Sequence, residues 1–495
     1  MIAKNRAFPG GYRFRHFEGR PQDKLIRAAI PATITIPLMQ GFGDEVAAVV
    51  AMGDKVAAGQ IIGRDDESIS SPVHSSVNGK IVKIGKIEYL GNETTAITIE
   101  SDGTGDWQSL EGCSAAWDNL AIEQIEELIY LSGAAGAGRD GIPTGFNSSI
   151  ISPDEVENVI IHGVESEMYA VSSSLLLQGD NLPHFAEGTK ILRKVLPHAA
   201  FSIALNSECN SLIADVSGAF ADNDWCDVRG LEPRYPADYD EILVSAVLGR
   251  QFPAGLLAAN IGVIVLDIQA VLAVYDAVVA GKAVIERTIA LAGPGFEENL
   301  HVNVRVGSPL QHIIDGMVKQ GADLRFLRNS CLTGEGLFDL SMPADRTCSA
   351  IIAVVEGNKR EMFAFMRPGP RKDSYSRTFL SLFLGGEKIT KRCETNLRGE
   401  LRPCISCNYC VEVCPVSVIP HLLFHHVERE VIDEALLKYG IFDCIECNLC
   451  TYVCPSKITL GQWIKDGKAK LLDEGIPCPQ PKFALKGVEE DEDTR

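Results

Sequence analysis

A chain of 495 residues, 46% hydrophobic and 23% charged, has the make-up of a soluble globular protein, and is long enough for about three or four domains. A net charge of -20 disfavours nucleic acid as a partner and gives no support to binding of anionic lipid head groups. Fifteen cysteines, with no signal-like apolar run at the N-terminus, point to a reducing compartment and to metal, not to disulfides.

Residues 1–30, rich in Arg, Gly and aromatics, read as an extended arm. Over 31–105, "VVAMGDKVAAGQIIG" and "SSPVHSSVNGKIVKIG" are β-rich, with hairpin signals at Gly53-Asp54 and Asn78-Gly79. They predict a small barrel-sandwich hybrid, similar to lipoyl and biotinyl domains. The lysine such domains modify has no counterpart here, so a structural role is expected. From 115 to 285 strands ("VENVIIHG", "AAFSIALN", "NIGVIVL") alternate with helices ("IEQIEELIYLSG", "EGTKILRKVLP", "DIQAVLAVYDAVVAG"), which predicts a Rossmann-like α/β layer with a mainly parallel sheet. The stretch Ala254 to Gly281 is apolar enough to be a membrane candidate. Asn260, Asp267, Gln269 and Asp276 interrupt it, so it reads as a buried strand and a helix capped by Asp267. Any membrane association is then expected to be peripheral.

Over 286–358 the chain turns β-rich. "HVNVRVGSPLQHIIDGM" reads as a strand, a Gly307-Ser308-Pro309 turn and a short helix, and resembles the β-grasp module called SLBB. A basic, Pro- and Gly-broken connector (359–399), a cysteine-rich domain (400–475) and an acidic tail (476–495) follow. The fold class is multidomain α+β. Cys113, Cys209, Cys226, Cys331, Cys348, Cys393 and Cys478 are scattered and read mostly as small core residues.

The other eight cysteines stand in two copies of one phrase, C-x2-C-x2-C-x3-C-P: Cys404, Cys407, Cys410, Cys414, then Cys444, Cys447, Cys450, Cys454. In this bacterial-ferredoxin spacing three thiolates hold one cubane and the fourth reaches the other. Cys404, Cys407, Cys410 and Cys454 are therefore assigned to one [4Fe–4S] cluster, and Cys444, Cys447, Cys450 and Cys414 to a second. The proline lacks an N–H and fixes φ, which helps turn the chain at the last thiolate. Zinc sites usually show separated C-x2-C pairs instead. The insert "VIPHLLFHHVEREVIDEALLKYGIFD" has helical periodicity, so an α-helical dicluster ferredoxin domain is expected, with His421, His425 and His426 on helix surfaces.

With these residues in view, the chain resembles the RnfC subunit of the Rnf complex and the NqrA subunit of the Na+-translocating NADH:quinone reductase. The likeness runs from the arm and "VVAMGDKVAAGQ" through "VRVGSPLQHII" to both cysteine runs. The cluster domain looks like the Rnf subunit; the connector "REMFAFMRPGPRKDSYSRTFLS" looks like the Na+-pump subunit. The resemblance implies FMN and NAD(H) bound through three phrases. The Gly-rich loop corresponds to Gly136, Ala137, Gly138, Arg139, Asp140, Gly141 and on to Gly145, where bare N–H groups could approach phosphate or flavin. The second phrase keeps Glu165 and Glu167. The third, normally Y-P-S-G-G-x-K, appears as Tyr235 to Glu241, without its glycines and with acid in place of lysine. That exchange reverses a close interaction, a swing on the order of several kcal/mol, so a vestigial flavin loop is expected.

The implied function is an electron-transfer subunit carrying two [4Fe–4S] clusters. It would dock on the cytoplasmic side of an inner-membrane, ion-translocating oxidoreductase and relay electrons between a soluble carrier or NADH-oxidising subunit and the other subunits. No catalytic residue of its own is assigned. The alternatives are an FMN-dependent NADH dehydrogenase module of the same complex, a soluble cobalamin-reductase-like flavoprotein, and a scaffold whose clusters are only staples.

Overall fold

The computed structural model describes residues 8–137, 141–357, 373, 375, 389–396, 400–478 and 486. Most of the connector, most of the acidic tail, and Gly138 with Arg139 and Asp140 lie outside the described residues.

Strand Thr33–Pro37 alternates threonine with isoleucine, and alternate strand side chains share one face. Ile34 and Ile36 are accordingly fully buried, opposite Ile99 and Ile97 of strand Asn92–Ser101. That strand continues a long hairpin with Gly79–Tyr89. A smaller sheet of Ala47–Ala48, Ile61–Arg64 and Val73–His74 lies alongside. Leu38, Val46, Ile62, Val73 and Ile81 join the isoleucines in one core, giving the expected barrel-sandwich hybrid. Asn78-Gly79 is not the hairpin turn its dipeptide signals. The chain reverses at Leu90-Gly91, both with positive φ. Gly79 instead opens a strand where a Cβ would stand 2.1 Å from the Glu100 carbonyl oxygen.

The α/β region holds a parallel sheet running, edge to edge, Cys226–Leu231, Ala200–Asn206, Asn158–Gly163, Val263–Asp267. Apart from the half-buried edge strand Cys226–Leu231, its strands are buried on both faces, as parallel strands between helices are. Val159, Ile161, Ile203 and Leu205 face the helices Asn181–Val195 and Ile268–Tyr275. Ile160, Ala204, Val263 and Val265 face the helix Asp240–Leu248. The apolar stretch from Ala254 thus divides into a 3-10 turn, a strand and a helix. Asp267 caps that helix, its Oδ1 accepting the Ala270 N–H at 2.6 Å. Among the described residues no helix is long and apolar enough to cross a membrane.

The third sheet runs Leu25–Arg27, Leu300–Arg305, Glu286–Ala292, Ala350–Val355, Leu324–Arg328, Gly336–Leu337. Its first strand comes from the arm, parallel to His301–Asn303. The arm therefore does more than extend. Gly11 N–H donates to the Val413 carbonyl at 2.8 Å, and Tyr12 and Tyr235 exchange backbone hydrogen bonds, each 2.9 Å. Phe14 packs edge-on to Tyr235 and to Tyr452. The arm is thereby wedged between the α/β region and the cysteine-rich region.

The described residues of that last region form helices and no strand: Tyr409–Glu412, Pro420–Glu428, Glu434–Lys438, Leu449–Val453 and Leu460–Asp473. Leu423, Val427, Leu436, Ile464 and Leu471 make its core. The helical periodicity of the insert falls on Leu423, Val427 and Leu436 of this core, while Val431 is exposed.

Candidate metal centre and adjoining cavity

The repeated phrase is also a repeated backbone. Ser406 and Glu446 have φ of 51° and 57°, Asn408 and Asn448 64° and 62°, Ser417 and Lys457 both 60°. Non-glycine residues seldom adopt this left-handed region, yet the same three positions do so in both copies. Each curl turns backbone N–H groups inward, towards sulfur. Ser406 N–H donates to Cys404 Sγ at 3.4 Å. The Cys414 thiol receives N–H groups from Val416, Val418 and Ser417, Cys444 one from Glu446 and Cys447 one from Leu449. Such donors favour anionic thiolate and help set a cluster's potential.

The runs also exchange their last cysteines. Cys404, Cys407, Cys410 and Cys454 line one small cavity with His421 and Pro455. Cys414 neighbours Cys444, Cys447 and Cys450. Cys410 and Cys450 lie close to one another between the two groups. Among the described residues no three His, Cys, Asp or Glu side chains close to the spacing of a single ion. Four cysteines about one small cavity, with backbone N–H groups turned towards sulfur, are a donor set that suits an iron–sulfur cluster.

Burial differs between the groups. Cys404 and Cys407 are half-buried beside buried Cys410 and Cys454, whereas in the other group Cys444 alone is half-buried and Cys414, Cys447 and Cys450 are buried. Beside Cys404, Leu401 and Ile405 are 73% and 66% exposed. Without iron, burial pushes the Cys410 thiol up to about 11 and Cys447 up to about 12. Loading iron therefore releases protons. His421 is half-buried and its Nδ1 stands 3.8 Å from Cys410 Sγ, closer to the sulfurs than a surface reading implies. His425 pairs with Glu428 and His426 packs on Tyr439.

A cavity of about 760 Å3 opens at the carboxyl ends of the parallel strands, walled by Gly163 and Asp267. These residues end the first and the last of the four strands in chain order, which are neighbours in the sheet and between which the chain's direction of progress reverses. Open α/β sheets hold ligands at such a point. Gly136, Glu165 and Glu167 line it as the resemblance implies; Gly141 does not, and packs beside Phe42 and Ser148. Gly138 lies outside the described residues. Glu165 accepts the Ser173 N–H at 2.7 Å, and burial raises its pKa. Glu167 accepts the Ser330 hydroxyl at 3.0 Å.

The glycines missing from the third phrase are replaced by Asp238 and Tyr239, and both line the cavity. Asp238 accepts the Ser166 hydroxyl. Tyr239 bonds to Tyr235 at 2.9 Å, and the Tyr235 hydroxyl donates to the Cys447 carbonyl at 2.9 Å. A hydrogen-bonded chain therefore runs from the cavity wall to the second cysteine group. Glu241, the acid in place of lysine, is not among the lining residues.

A flavin mononucleotide fits this cavity in size. In charge the described lining does not suit its phosphate. Glu165, Glu167, Asp238 and Asp267 are acidic, Arg287 is paired with Asp267 at 2.8 Å, and Arg346 donates to the Pro72 carbonyl at 2.6 Å. Asp267 and Tyr239 are read from the sequence only as a helix cap and as part of the third phrase; Ser330 and Arg346, from the third-sheet region, escape sequence reading. Both are brought in by a different part of the chain, with no local pattern to mark them.

Three protein-family models match the chain: the RnfC barrel sandwich hybrid domain over 6–104, the Nuo51 FMN-binding domain over 129–276 and the 4Fe-4S dicluster domain over 400–458. The RnfC subunit of an ion-translocating oxidoreductase complex from Pseudomonas aeruginosa is 29% identical over 473 residues, 94% of this chain and 56% of that one. The corresponding subunit of a proton-translocating ferredoxin:NAD(+) oxidoreductase complex from Clostridium ljungdahlii is 27% identical over 443 residues, 88% of each.

The chain is an RnfC-like protein. This RnfC-like chain spans little more than half the length of the Pseudomonas relative. It carries a dicluster domain for [4Fe–4S] clusters. Apart from Asp373 and Tyr375, the connector phrase that looks like the Na+-pump branch lies outside the described residues. Among solved structures, a chain of an NAD+-reducing [NiFe]-hydrogenase aligns over 76% of this chain and 66% of its own. Its TM-score is 0.41 at 12% identity, too distant to carry an argument.

Proposed function

We propose that the RnfC-like chain is an electron-relay subunit of a membrane-associated, ion-translocating oxidoreductase of the Rnf type. Cys404, Cys407, Cys410 and Cys454 ligate one [4Fe–4S] cluster, and Cys414, Cys444, Cys447 and Cys450 the other. The crosswise grouping of the eight cysteines on a duplicated backbone is the observation that carries this reading. A pair of adjacent centres makes a relay, and the protein supplies their placement. The buried cluster faces Tyr235 and the cavity. The other lies at the surface beside exposed Leu401 and Ile405, where a partner subunit or soluble carrier reaches it. The chain docks peripherally on the cytoplasmic side of the inner membrane. Residues 31–105, 115–285, 286–358 and 400–475 act as barrel-sandwich, Rossmann-like, SLBB-like and dicluster units.

A second reading, an FMN-dependent NADH dehydrogenase module, has two observations in its favour: the match to an FMN-binding domain and the size of the cavity. The acidic lining weighs against it. Protein purified anaerobically should contain about eight irons per chain, little FMN, and clusters that dithionite reduces to paramagnetic states. Tightly bound zinc in place of iron rejects the relay. Stoichiometric FMN, with clusters that NADH bleaches, selects the second reading.

A further inference from the structure

The second cysteine run rests against the last helix, Leu460–Asp473. Ile464 and Leu471 of that helix are fully buried. A Cβ on Gly467 would stand 2.7 Å from Val427 Cγ2 and 2.9 Å from Ile441 Cδ1, so the helix is pressed close to its neighbours here. Lys468 shares this inward side with Ile464 and Leu471, since residues three and four apart on a helix are neighbours. Its ammonium donates to the Cys444 carbonyl at 2.7 Å and to Glu446 Oε1 at 2.9 Å. The side chain is only 18% exposed, whereas a lysine ordinarily keeps its charged head in water.

The charge held there is not simply cancelled. Glu446 Oε2 also takes Lys465 at 3.3 Å, so two ammonium groups share one carboxylate. Asp443, the acid next to Cys444, is exposed and is screened by water. Burial raises the Cys444 thiol pKa, and the Glu446 N–H and then the Lys468 charge oppose that rise. The lysine is therefore felt at the sulfur as well as at the carbonyl. Glu446, which seats it, is not part of the repeated phrase, because the first run has Ser406 at that position.

We propose that Lys468 is a positioning residue that sets the reduction potential of the [4Fe–4S] cluster held by Cys414, Cys444, Cys447 and Cys450. On the relay reading above, four thiolates already make that centre anionic, and an added electron makes it more so. A cation fixed at the Cys444 carbonyl offsets the added charge and raises the potential, since net charge and hydrogen bonding near the sulfurs tune such clusters. One unit charge at close range in a partly buried site moves an equilibrium by about tenfold.

The cluster-loaded, anaerobically purified chain is compared with Lys468→Met, Lys468→Arg and Glu446→Gln by electron paramagnetic resonance at stepped potentials. Methionine keeps the bulk of the lysine stem without its charge. The same substitutions in a Cys454→Ala background, which on the relay reading retains this cluster alone, assign the signal. Lys468→Met should keep about eight irons per chain. At a fixed potential it should lower the reduced-to-oxidised ratio of this cluster about tenfold, a one-electron shift of about 59 mV. Arginine should restore the ratio, and Glu446→Gln should move it the opposite way, which a merely structural lysine would not produce. An unchanged ratio in Lys468→Met overturns the proposal. Loss of iron from that variant also overturns it, because the lysine then only holds the shape of the run. Zinc in place of iron in the unaltered chain rejects the relay instead, so the two fail separately.

Discussion

Acid should loosen the junction at His74, by an amount the structure sets. The imidazole is 2% exposed. Its Nε2–H donates to the Leu131 carbonyl at 2.7 Å, and its Nδ1 accepts from the Arg346 guanidinium at 3.3 Å. The neutral ring thus uses both nitrogens to tie the barrel-sandwich to the α/β region and to the third-sheet region. Burial, then the adjacent Arg346 charge, pushes its pKa down to about 3 from an ordinary 6.5. Below that ordinary value the unfolded chain takes up a proton that the folded chain refuses. Stability is therefore fully present above 6.5 and is lost as pH falls towards 3, at about 1.4 kcal/mol per unit. Going from about pH 7.5 to about pH 5 should cost about 2 kcal/mol from this residue alone. The check is the urea midpoint of the cluster-loaded chain across that range, beside His74→Gln. Glutamine can keep one or both contacts and does not titrate, so the variant should start lower at neutral pH and fall less steeply. Parallel pH slopes for the two proteins would refute the reasoning.

Cys454→Ala should empty the site of Cys404, Cys407 and Cys410 and lower iron from about eight towards about four per chain; anaerobic iron analysis with electron paramagnetic resonance follows this, and damage confined to the Cys444 group would sink the ligand exchange. Gly10→Ala places a Cβ 2.5 Å from the carbonyl oxygens of Val413 and Cys414 at a φ of +58°. It should destabilise the chain by about 1–3 kcal/mol and expose the arm to protease; an unchanged urea midpoint would show that the arm is not a fastener.

What could be read from the letters was what is local. The cysteine spacing, the isoleucine alternation of Thr33–Pro37 and the Asp267 cap each concern neighbours along the chain, and each reappears in three dimensions. The misreadings are of another kind. Asn78-Gly79 has the dipeptide of a turn, but its glycine answers to Glu100 on a partner strand. The arm reads only as extended, with no strand assigned, because its strand, Leu25–Arg27, pairs with residues near 301. The cavity's third wall, Ser330 and Arg346, comes from a sheet far along the chain from the Gly-rich loop.

Asp238 and Tyr239 show how that limit changes a functional argument. Compared with a glycine-bearing phrase, they read as damage, since side chains now stand where bare backbone would meet a phosphate. In the folded chain the same two residues are engaged. Asp238 holds Ser166, and Tyr239 joins Tyr235 and Thr333. Through Tyr235 the wall reaches the carbonyl of Cys447, and a buried acceptor left without its donor costs about 1–3 kcal/mol. One of the substitutions that weaken the case for a nucleotide, Tyr239, therefore extends a tie that Tyr235, kept from the phrase, makes between the cavity and the buried cluster site. A chain selected only to discard the pocket would have no need of that tie. Its presence is better explained if the cavity wall still positions the second cysteine run, whatever the cavity itself holds.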